Sequence, residues 1–533
     1  MKNLLNDEQY TQYLSEGAIV LQPDSLGADF HDRLYEHGQN IYSLVESSKS
    51  KTAHLDIIGD NLRGRIPEID DIFKDPNVAG ALESILGENY VIHPHNFVHK
   101  SSLIDQGFHQ DGNLPWNERG HYRSHRPDWA LLFYYPQDVT IENGATELIL
   151  GTQYWTKDFE KDDGTWYSQD SIDRSFGREE MGSEDLAYRD RRLSESVDSL
   201  GVPDLERKYF VVPKGTVIIC NYDILHRGSR SLPGEADRFM YKFHFMRTQE
   251  PKASAWSHQR DLNIENVRED IRPIVRHIWN WSANKGGTEE FLGNLEELQY
   301  MLSSGDERDK VRSAYLLGEA KSDIAAEVLI NALSDEKESV RRAACYGLRV
   351  CSPLRVGDLL GLVSDPREGV RRLAVYALGT IQNACNPQVV AGLLNSCIED
   401  SDDLVRSNAV YSLGQLFRHQ EVDFELPITA LIERLRPGVE PNNTDVALFP
   451  RSTVRQSIAY ALLQAASNQQ FTSEQIDLLL EIMSGDEDRY VQGLIIEIAR
   501  QSNNLSNGAV STLLSALSRL RLSPRPLELK RAS

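Results

Sequence analysis

Residues 213–229 read PKGTVIICNYDILHRGS. A Pro-Lys-Gly turn feeds an uninterrupted apolar run from Val217 to Cys220, and a second polar turn then delivers His226. Short β-branched runs bounded by Gly, Pro and Asn belong to strands and turns, not to helices. The same pattern recurs in WALLFYYP (129–136) and RFMYKFHFM (238–246), so the first half predicts an antiparallel sandwich or jelly roll.

Upstream of that stretch stands GFHQDG (107–112). On an extended segment residues i and i+2 point the same way, so His109 and Asp111 offer two metal ligands from one short piece of chain. Two histidines and one carboxylate on one side of a metal leave positions open, the arrangement of mononuclear non-haem iron sites. His226, from a later strand, is the expected third ligand. Two decoys of the same form are set aside: His54-x-Asp56 lies in a polar segment without strand alternation, and His419-x-Glu421 ends a helix of the second half. Arg238 follows His226 by twelve residues, after the turn SLPGEAD, and its planar fork suits a carboxylate beside the metal. His244 is the rival third ligand. It lies six residues beyond Arg238, about 20 Å at the strand rise, too far for both to serve one small co-substrate.

From about Gly305 the chain repeats an acidic turn followed by two helices. The first helix carries Val-Arg and then a Tyr six residues after the Val: Val340-Arg341 with Tyr346, Val370-Arg371 with Tyr376, Val405-Arg406 with Tyr411, Val454-Arg455 with Tyr460. Turns such as SDEKES, SDPREG and EDSDDL are expected to supply N-cap oxygens. Leu317-Gly318, Leu378-Gly379 and Leu413-Gly414 are read as helix ends. The Val-Arg arginines should pair with acidic turn residues of neighbouring repeats, and the tyrosines should be core. The pattern resembles short HEAT repeats over roughly 305–500, which implies an all-α solenoid whose curved surface is a platform for binding a partner or for oligomerisation.

The chain of 533 residues exceeds what one core usually organises. Four segments are expected: a barrel domain over 1–250, a helical linker over 251–304, the solenoid over 305–503, and a terminal helix with a disordered tail over 504–533. The net charge of −23 repels phosphate backbones and acidic membranes, which argues against nucleic acid as a partner. Five cysteines, none in a metal-ligand or C-x-x-C spacing, fit a reduced, cytoplasmic protein. Leu373 to Ile398 carries no charge, but its Gln, Asn and Pro residues read as a turn between two helices, so no membrane span is expected.

Several features of the first half agree in order with one family. DEQYTQYLSEGAIVLQPDSL opens it, HQD gives the metal pair, ENGATELILGTQYW follows, and HRGS with Arg238 completes the set. Over residues 5–250 the chain resembles the phytanoyl-CoA dioxygenase family. The resemblance implies a double-stranded β-helix (jelly-roll or cupin-like) barrel with flanking helices. It also implies iron(II) held by His109, Asp111 and His226, 2-oxoglutarate held by Arg238, dioxygen as co-substrate, and ascorbate as accessory reductant. By position it carries Lys100 and Trp129 into the co-substrate pocket, with Ser229 supplying the nearby hydroxyl. Gly228 stands where the family often has Ser, and Gly151-Thr152-Gln153 replaces the usual Gly-Ser-His. A retained carboxylate at Asp111 implies hydroxylation or desaturation, since a halogenating relative vacates that position.

Two insertions are expected to shape the substrate site. NLPWNERGHYRSHRPD concentrates Arg119, His121, Arg123, His125 and Arg126 in an acidic protein, which suggests a small substrate with an anionic group; a solvated loop is the plainer alternative. The segment from Tyr154 to Arg207 is long enough for a lid or a partner contact. Two other readings stay open: a protein hydroxylase whose solenoid presents a polypeptide, and a non-catalytic adaptor with a vestigial barrel.

Overall fold

The computed structural model describes all residues except 1, 50–61, 112–123, 162–170, 203–204, 287–290, 292, 352–354, 382–384, 420–422, 441–451, 470, 503–504 and 523–533, and the side chains of 518–522. Nine strands occur among the described residues: β1 (Ala18–Leu21), β2 (Val91–Ile92), β3 (Phe97–Lys100), β4 (Trp129–Tyr134), β5 (Thr146–Ile149), β6 (Arg207–Tyr209), β7 (Val217–Asn221), β8 (His226–Gly228) and β9 (Phe239–Met246). They form two antiparallel sheets. The larger runs β1-β7-β4-β9, with β2 and β3 lying one after the other along the far edge of β9, and the smaller runs β6-β5-β8.

Strand β9 organises the sandwich because every one of its residues is buried while its faces differ chemically. Phe239, Tyr241, Phe243 and Phe245 form the outer face. Phe239 lies over Gly38 of the helix Ala28–Ser47, and Phe243 and Phe245 meet the edge of Phe73 at 4.8 and 5.1 Å. Each such ring contributes about 1.5–3 kcal/mol of burial. Met240, Lys242 and His244 form the inner face, which looks across to the smaller sheet; Phe133 of β4 and His226 of β8 meet there at 5.9 Å. Behind β8 a buried network fixes the smaller sheet: Arg227 holds Glu147 at 2.6 Å and Asp105 at 2.7 Å, and Arg189 and Arg230 share Asp105.

The second half is a series of helix pairs. The first helices are Glu307–Glu319, Glu338–Val350, Glu368–Thr380, Asp403–Leu416, Thr453–Ala466 and Arg489–Gln501. Asp306, Asp402, Ser452 and Asp488 cap four of them. In SDEKES and SDPREG the cap positions are instead Lys337 and Arg367, with no side-chain cap. There Asp335 and Asp365 each accept from the backbone N–H two residues on, so the acid tightens the turn ahead of the helix. Arg371 pairs with Asp400 at 2.8 Å, Arg406 with Glu440 at 3.4 Å, and Arg455 with Asp486, each in a neighbouring turn. Arg341 departs from this, reaching Glu160 in the long insertion of the barrel.

The Leu-Gly pairs do not end helices. Gly318, Gly379 and Gly414 lie inside their helices, and the glycine is needed for close approach to the next one. A Cβ on Gly379 would sit 2.2 Å from the Cβ of Ser412, and one on Gly318 would sit 2.4 Å from the carbonyl oxygen of Gly347. Gly379→Ala should therefore destabilise by about 1–3 kcal/mol through overpacking, despite the better helix propensity of alanine. A melting temperature equal to or above that of the unaltered protein would contradict this.

Residues expected to be a linker pack back on the barrel. Tyr10 of the helix Asp7–Glu16 stacks on Trp256 at 4.2 Å, and its hydroxyl donates to Ser282 at the end of the helix Arg272–Ser282. The uncharged stretch 373–398 is split between Glu368–Thr380 and Pro387–Glu399, and no helix among the described residues is long and apolar enough to cross a membrane. None of the five cysteines is in a disulfide. The terminal helix is Asn507–Leu522; the expected tail lies outside the described residues.

The solenoid's first helices face the barrel. Tyr376 stacks on Tyr411 at 5.9 Å, Tyr411 on Tyr460 at 5.6 Å, and Tyr460 on Trp129 of β4 at 5.5 Å. The tyrosines are buried as read from the sequence, but the first and last of them close on the barrel and not only on their own repeats, Tyr346 lying 3.9 Å from His125. Arg418 anchors the contact, holding Asp128 at 2.9 Å and donating to the Arg247 carbonyl at 3.1 Å.

Candidate metal centre

One isolated β-bridge builds the centre of the site. His109 and His226 lie directly opposite one another and exchange both backbone bonds, N–H to O at 3.1 and 3.0 Å. Opposed residues of an antiparallel pair project to the same side, so the rings converge, with centroids 4.5 Å apart. The intervening residue is pinned the other way: the Gln110 amide donates to the carbonyls of Trp155 at 2.8 Å and Asp223 at 2.6 Å. Asp111 thereby returns to the face of His109. One ligand atom from each of His109, Asp111 and His226 lies within 4.8 Å of the others, the one such group of three among the described residues.

Ring orientation is fixed by the backbone. The Nδ1 of His109 is 3.0 Å from the Gly107 carbonyl and that of His226 is 3.1 Å from the Ile224 carbonyl. A carbonyl only accepts, so each Nδ1 carries the proton and each Nε2 keeps its lone pair for a metal. Protonation fits. Burial, joined by the neighbouring His109, holds His226 down to about 3, and burial also lowers His109. Burial alone would raise Asp111, yet the Lys242 ammonium, 2.5 Å away, and the surrounding histidines keep its carboxyl well below the usual range. Two neutral imidazoles and one carboxylate are a donor set that fits iron(II).

These buried rings make a pH prediction for the metal-free protein. His226 and His244 are held near 3 and 4, and His93 and His95 well below the ordinary value, in each case by burial first. The unfolded chain takes its protons near pH 6.5, so below that pH it binds more of them than the folded chain. Stability is then full above about pH 6.5 and is lost as pH falls, by about 1.4 kcal/mol per pH unit for each such ring. A melting temperature that stays level between pH 7.5 and 5.5 would contradict it.

Arg238 is buried, and its Nε donates to the Gly144 carbonyl at 2.9 Å. Among the described residues no acidic side chain pairs with it, and burial lowers its pKa. Its surroundings include Gly228, where an added Cβ would stand 3.8 Å from Nη2, and Tyr135, whose hydroxyl donates to Thr146 at 2.6 Å. Ser229 lies just after β8, nine residues before Arg238, its hydroxyl donating to the Ala145 carbonyl at 2.7 Å.

Two expected members of the co-substrate pocket are elsewhere. Lys100 pairs with Phe239, on the outer face of the sheet, and its ammonium is held by Glu46 at 3.1 Å and Asp237 at 3.2 Å. Strand parity separates it from Arg238. Trp129 is on the inner face, but the register sets it opposite Met246, eight residues along β9 from Arg238, about 27 Å at the strand rise. It stacks on the solenoid instead. Tyr135, at the other end of the same apolar run, is the aromatic beside Arg238; the alternation of WALLFYYP contains it, but only the register selects it.

Of the basic insertion, His121 and Arg123 lie outside the described residues. His125 is buried and Arg126 half-buried, and both pack on the second half or its neighbouring helix: the His125 Nδ1 meets the Tyr315 hydroxyl at 2.9 Å, and the Arg126 guanidinium stacks on Trp281 at 4.7 Å. Lys242 was missed by sequence reasoning, although a lysine on the inner parity of an otherwise apolar strand was its signal. The long insertion also reaches the site, through a bridge between Ser171 and His109.

A family model described as HEAT repeats matches residues 358–441. No curated protein matches the chain. Among solved structures, HygX from Streptomyces hygroscopicus with nickel and 2-oxoglutarate bound is 17% identical, with a TM-score of 0.30 over 49% of this chain and 91% of that one. SnoK, a non-heme alpha ketoglutarate dependent carbocyclase from nogalamycin biosynthesis, is 13% identical, with a TM-score of 0.31 over 46% and 85%. EctD from S. alaskensis with 2-oxoglutarate and 5-hydroxyectoine is 14% identical, with a TM-score of 0.31 over 53% and 84%. Similarity at this level carries no argument about chemistry, which rests on the side chains.

Proposed function

We propose that the N-terminal half is an iron(II)- and 2-oxoglutarate-dependent oxygenase that hydroxylates or desaturates a small organic molecule. The observation that carries this reading is the convergence of His109, Asp111 and His226 within 4.8 Å, with both histidine rings turned by their own backbone. Iron bound there would supply the coupling of dioxygen to oxidative decarboxylation of 2-oxoglutarate and oxidation of a substrate C–H bond.

The chain's own residues supply position and charge. His109 and His226 would hold the metal through Nε2 and Asp111 through its carboxylate, while Lys242 orients that carboxylate from behind. Arg238, a buried guanidinium that no carboxylate of the described residues pairs with, supports binding of a carboxylate from outside the chain. The solenoid is proposed to act as a wall of the site, because Tyr460 and Arg418 close on the barrel residues Trp129 and Asp128. That covered face disfavours a polypeptide substrate laid along the inner row.

Anaerobic addition of iron(II) and then 2-oxoglutarate tests the reading through the visible charge-transfer band of the chelate. The band should appear, and Arg238→Gln should raise the 2-oxoglutarate concentration for half-saturation by about 10- to 150-fold, the range for a hydrogen bond to a charged group. Absence of the band at millimolar 2-oxoglutarate would sink the assignment.

A further inference from the structure

Beside the metal ligands lies a pair of buried histidines that the oxygenase reading does not use. β2 pairs with β9, and one residue beyond it the His93 N–H donates to the His244 carbonyl at 2.9 Å. The two residues are therefore cross-strand neighbours on the inner face, and both are fully buried. The His244 Nε2 is 4.0 Å from Asp111.

Their tautomers are opposite. The His244 Nδ1 faces the His95 carbonyl at 2.8 Å and so carries the proton, which leaves Nε2 as an acceptor. The His93 Nδ1 accepts from the His95 N–H at 3.1 Å, so in the neutral ring Nε2 carries the proton and is a donor. Among the described residues neither Nε2 has a hydrogen-bond partner. Buried polar atoms are seldom left unmatched, and each calls for a ligand or a water. Aromatic rings surround the pair: Trp129 is 5.5 Å and Tyr490 5.4 Å from His93, and Tyr222 is 5.8 Å from His244. Tyr490 comes from the solenoid helix Arg489–Gln501, and its hydroxyl touches His95.

Charge narrows the ligand. An anion would face the Asp111 carboxylate and the lone pair of His244. A cation would face the Lys242 ammonium, the nearby Arg489 and the N–H of His93.

We propose that His93 and His244 form a substrate-recognition subsite for an uncharged planar group bearing both a donor and an acceptor, an amide in particular. This deepens the oxygenase reading and rests on it for the ligand being the substrate, but the subsite itself needs no metal.

The test uses the full-length, metal-free protein and three probes of one shape: benzamide, benzoate and benzylamine. Binding is followed by calorimetry and by tryptophan fluorescence. Benzamide should bind at least about tenfold more tightly than either charged probe, the value of one well-made hydrogen bond. His93→Phe and His244→Phe should each weaken it about tenfold, and His93→Gln, which keeps an N–H donor, should restore it. Equal or tighter binding of benzoate or benzylamine would overturn the proposal. So would no binding of any probe in the millimolar range, which would leave water as the occupant, or undiminished benzamide binding by a folded His93→Phe variant. The charge-transfer band of the iron complex is measured separately, so loss of the subsite and loss of the metal assignment give different results.

Discussion

Asp111→Ala should abolish both iron(II) binding and oxidation of 2-oxoglutarate, lowering turnover by at least about a thousandfold, well beyond the 10- to 100-fold that removal of an outer partner costs. The substitution acts twice. It removes one of the three proposed ligands, and it leaves the Lys242 ammonium, only 7% exposed, without the carboxylate that balances it. Lys242→Met removes the partner and keeps the ligand, so it should fall in the 10- to 100-fold range. Iron titration and succinate formation measured on both variants should rank them in that order. Equal losses would mean that Lys242 participates in the chemistry more directly than its contact with Asp111 implies, and a functional Asp111→Ala protein would remove the metal centre altogether.

Arg418→Met should be the most destabilising change at the contact between barrel and solenoid, costing about 3–5 kcal/mol. The Arg418 side chain is fully buried and bonds Asp128, the Gln464 side chain at 2.9 Å and the Arg247 carbonyl at once. Methionine fills the stem but leaves a buried carboxylate at Asp128 whose remaining side-chain hydrogen bond among the described residues is from the Ser124 hydroxyl. Breaking one side of a buried pair is the costly event; replacing both sides is not. Arg418→Met combined with Asp128→Leu should therefore recover part of the loss. Denaturant unfolding of the single and double variants measures this, and additive losses would show that the two residues do not act as a pair.

The convergence of His109, Asp111 and His226 was legible because the information is local. A His-x-Asp on extended chain and a histidine closing an apolar run state their own geometry, and the chain had only to bring them opposite one another. Lys100 and Trp129 misled because register is not local: β3 parity sends Lys100 outward, and the pairing of β4 with β9 sets Trp129 at the far end from Arg238. The repeat tyrosines announced that they are buried but not against what. Tyr460 meets Trp129 across more than three hundred residues of sequence, and no spacing rule reaches that far. Glycines 318, 379 and 414 were misread for a related reason. Helix ends and close helix contacts both favour glycine, and only the neighbouring helix distinguishes them.

A free-standing array of helix pairs can lengthen by duplication, since each pair needs only its neighbours. This one is gauged against a fixed object. Tyr315, Tyr460 and Tyr490, on three different first helices, each meet their own stretch of barrel at His125, Trp129 and His95. Adding or deleting a pair between them would carry the downstream contacts past their marks, so the barrel sets how many units its solenoid can hold.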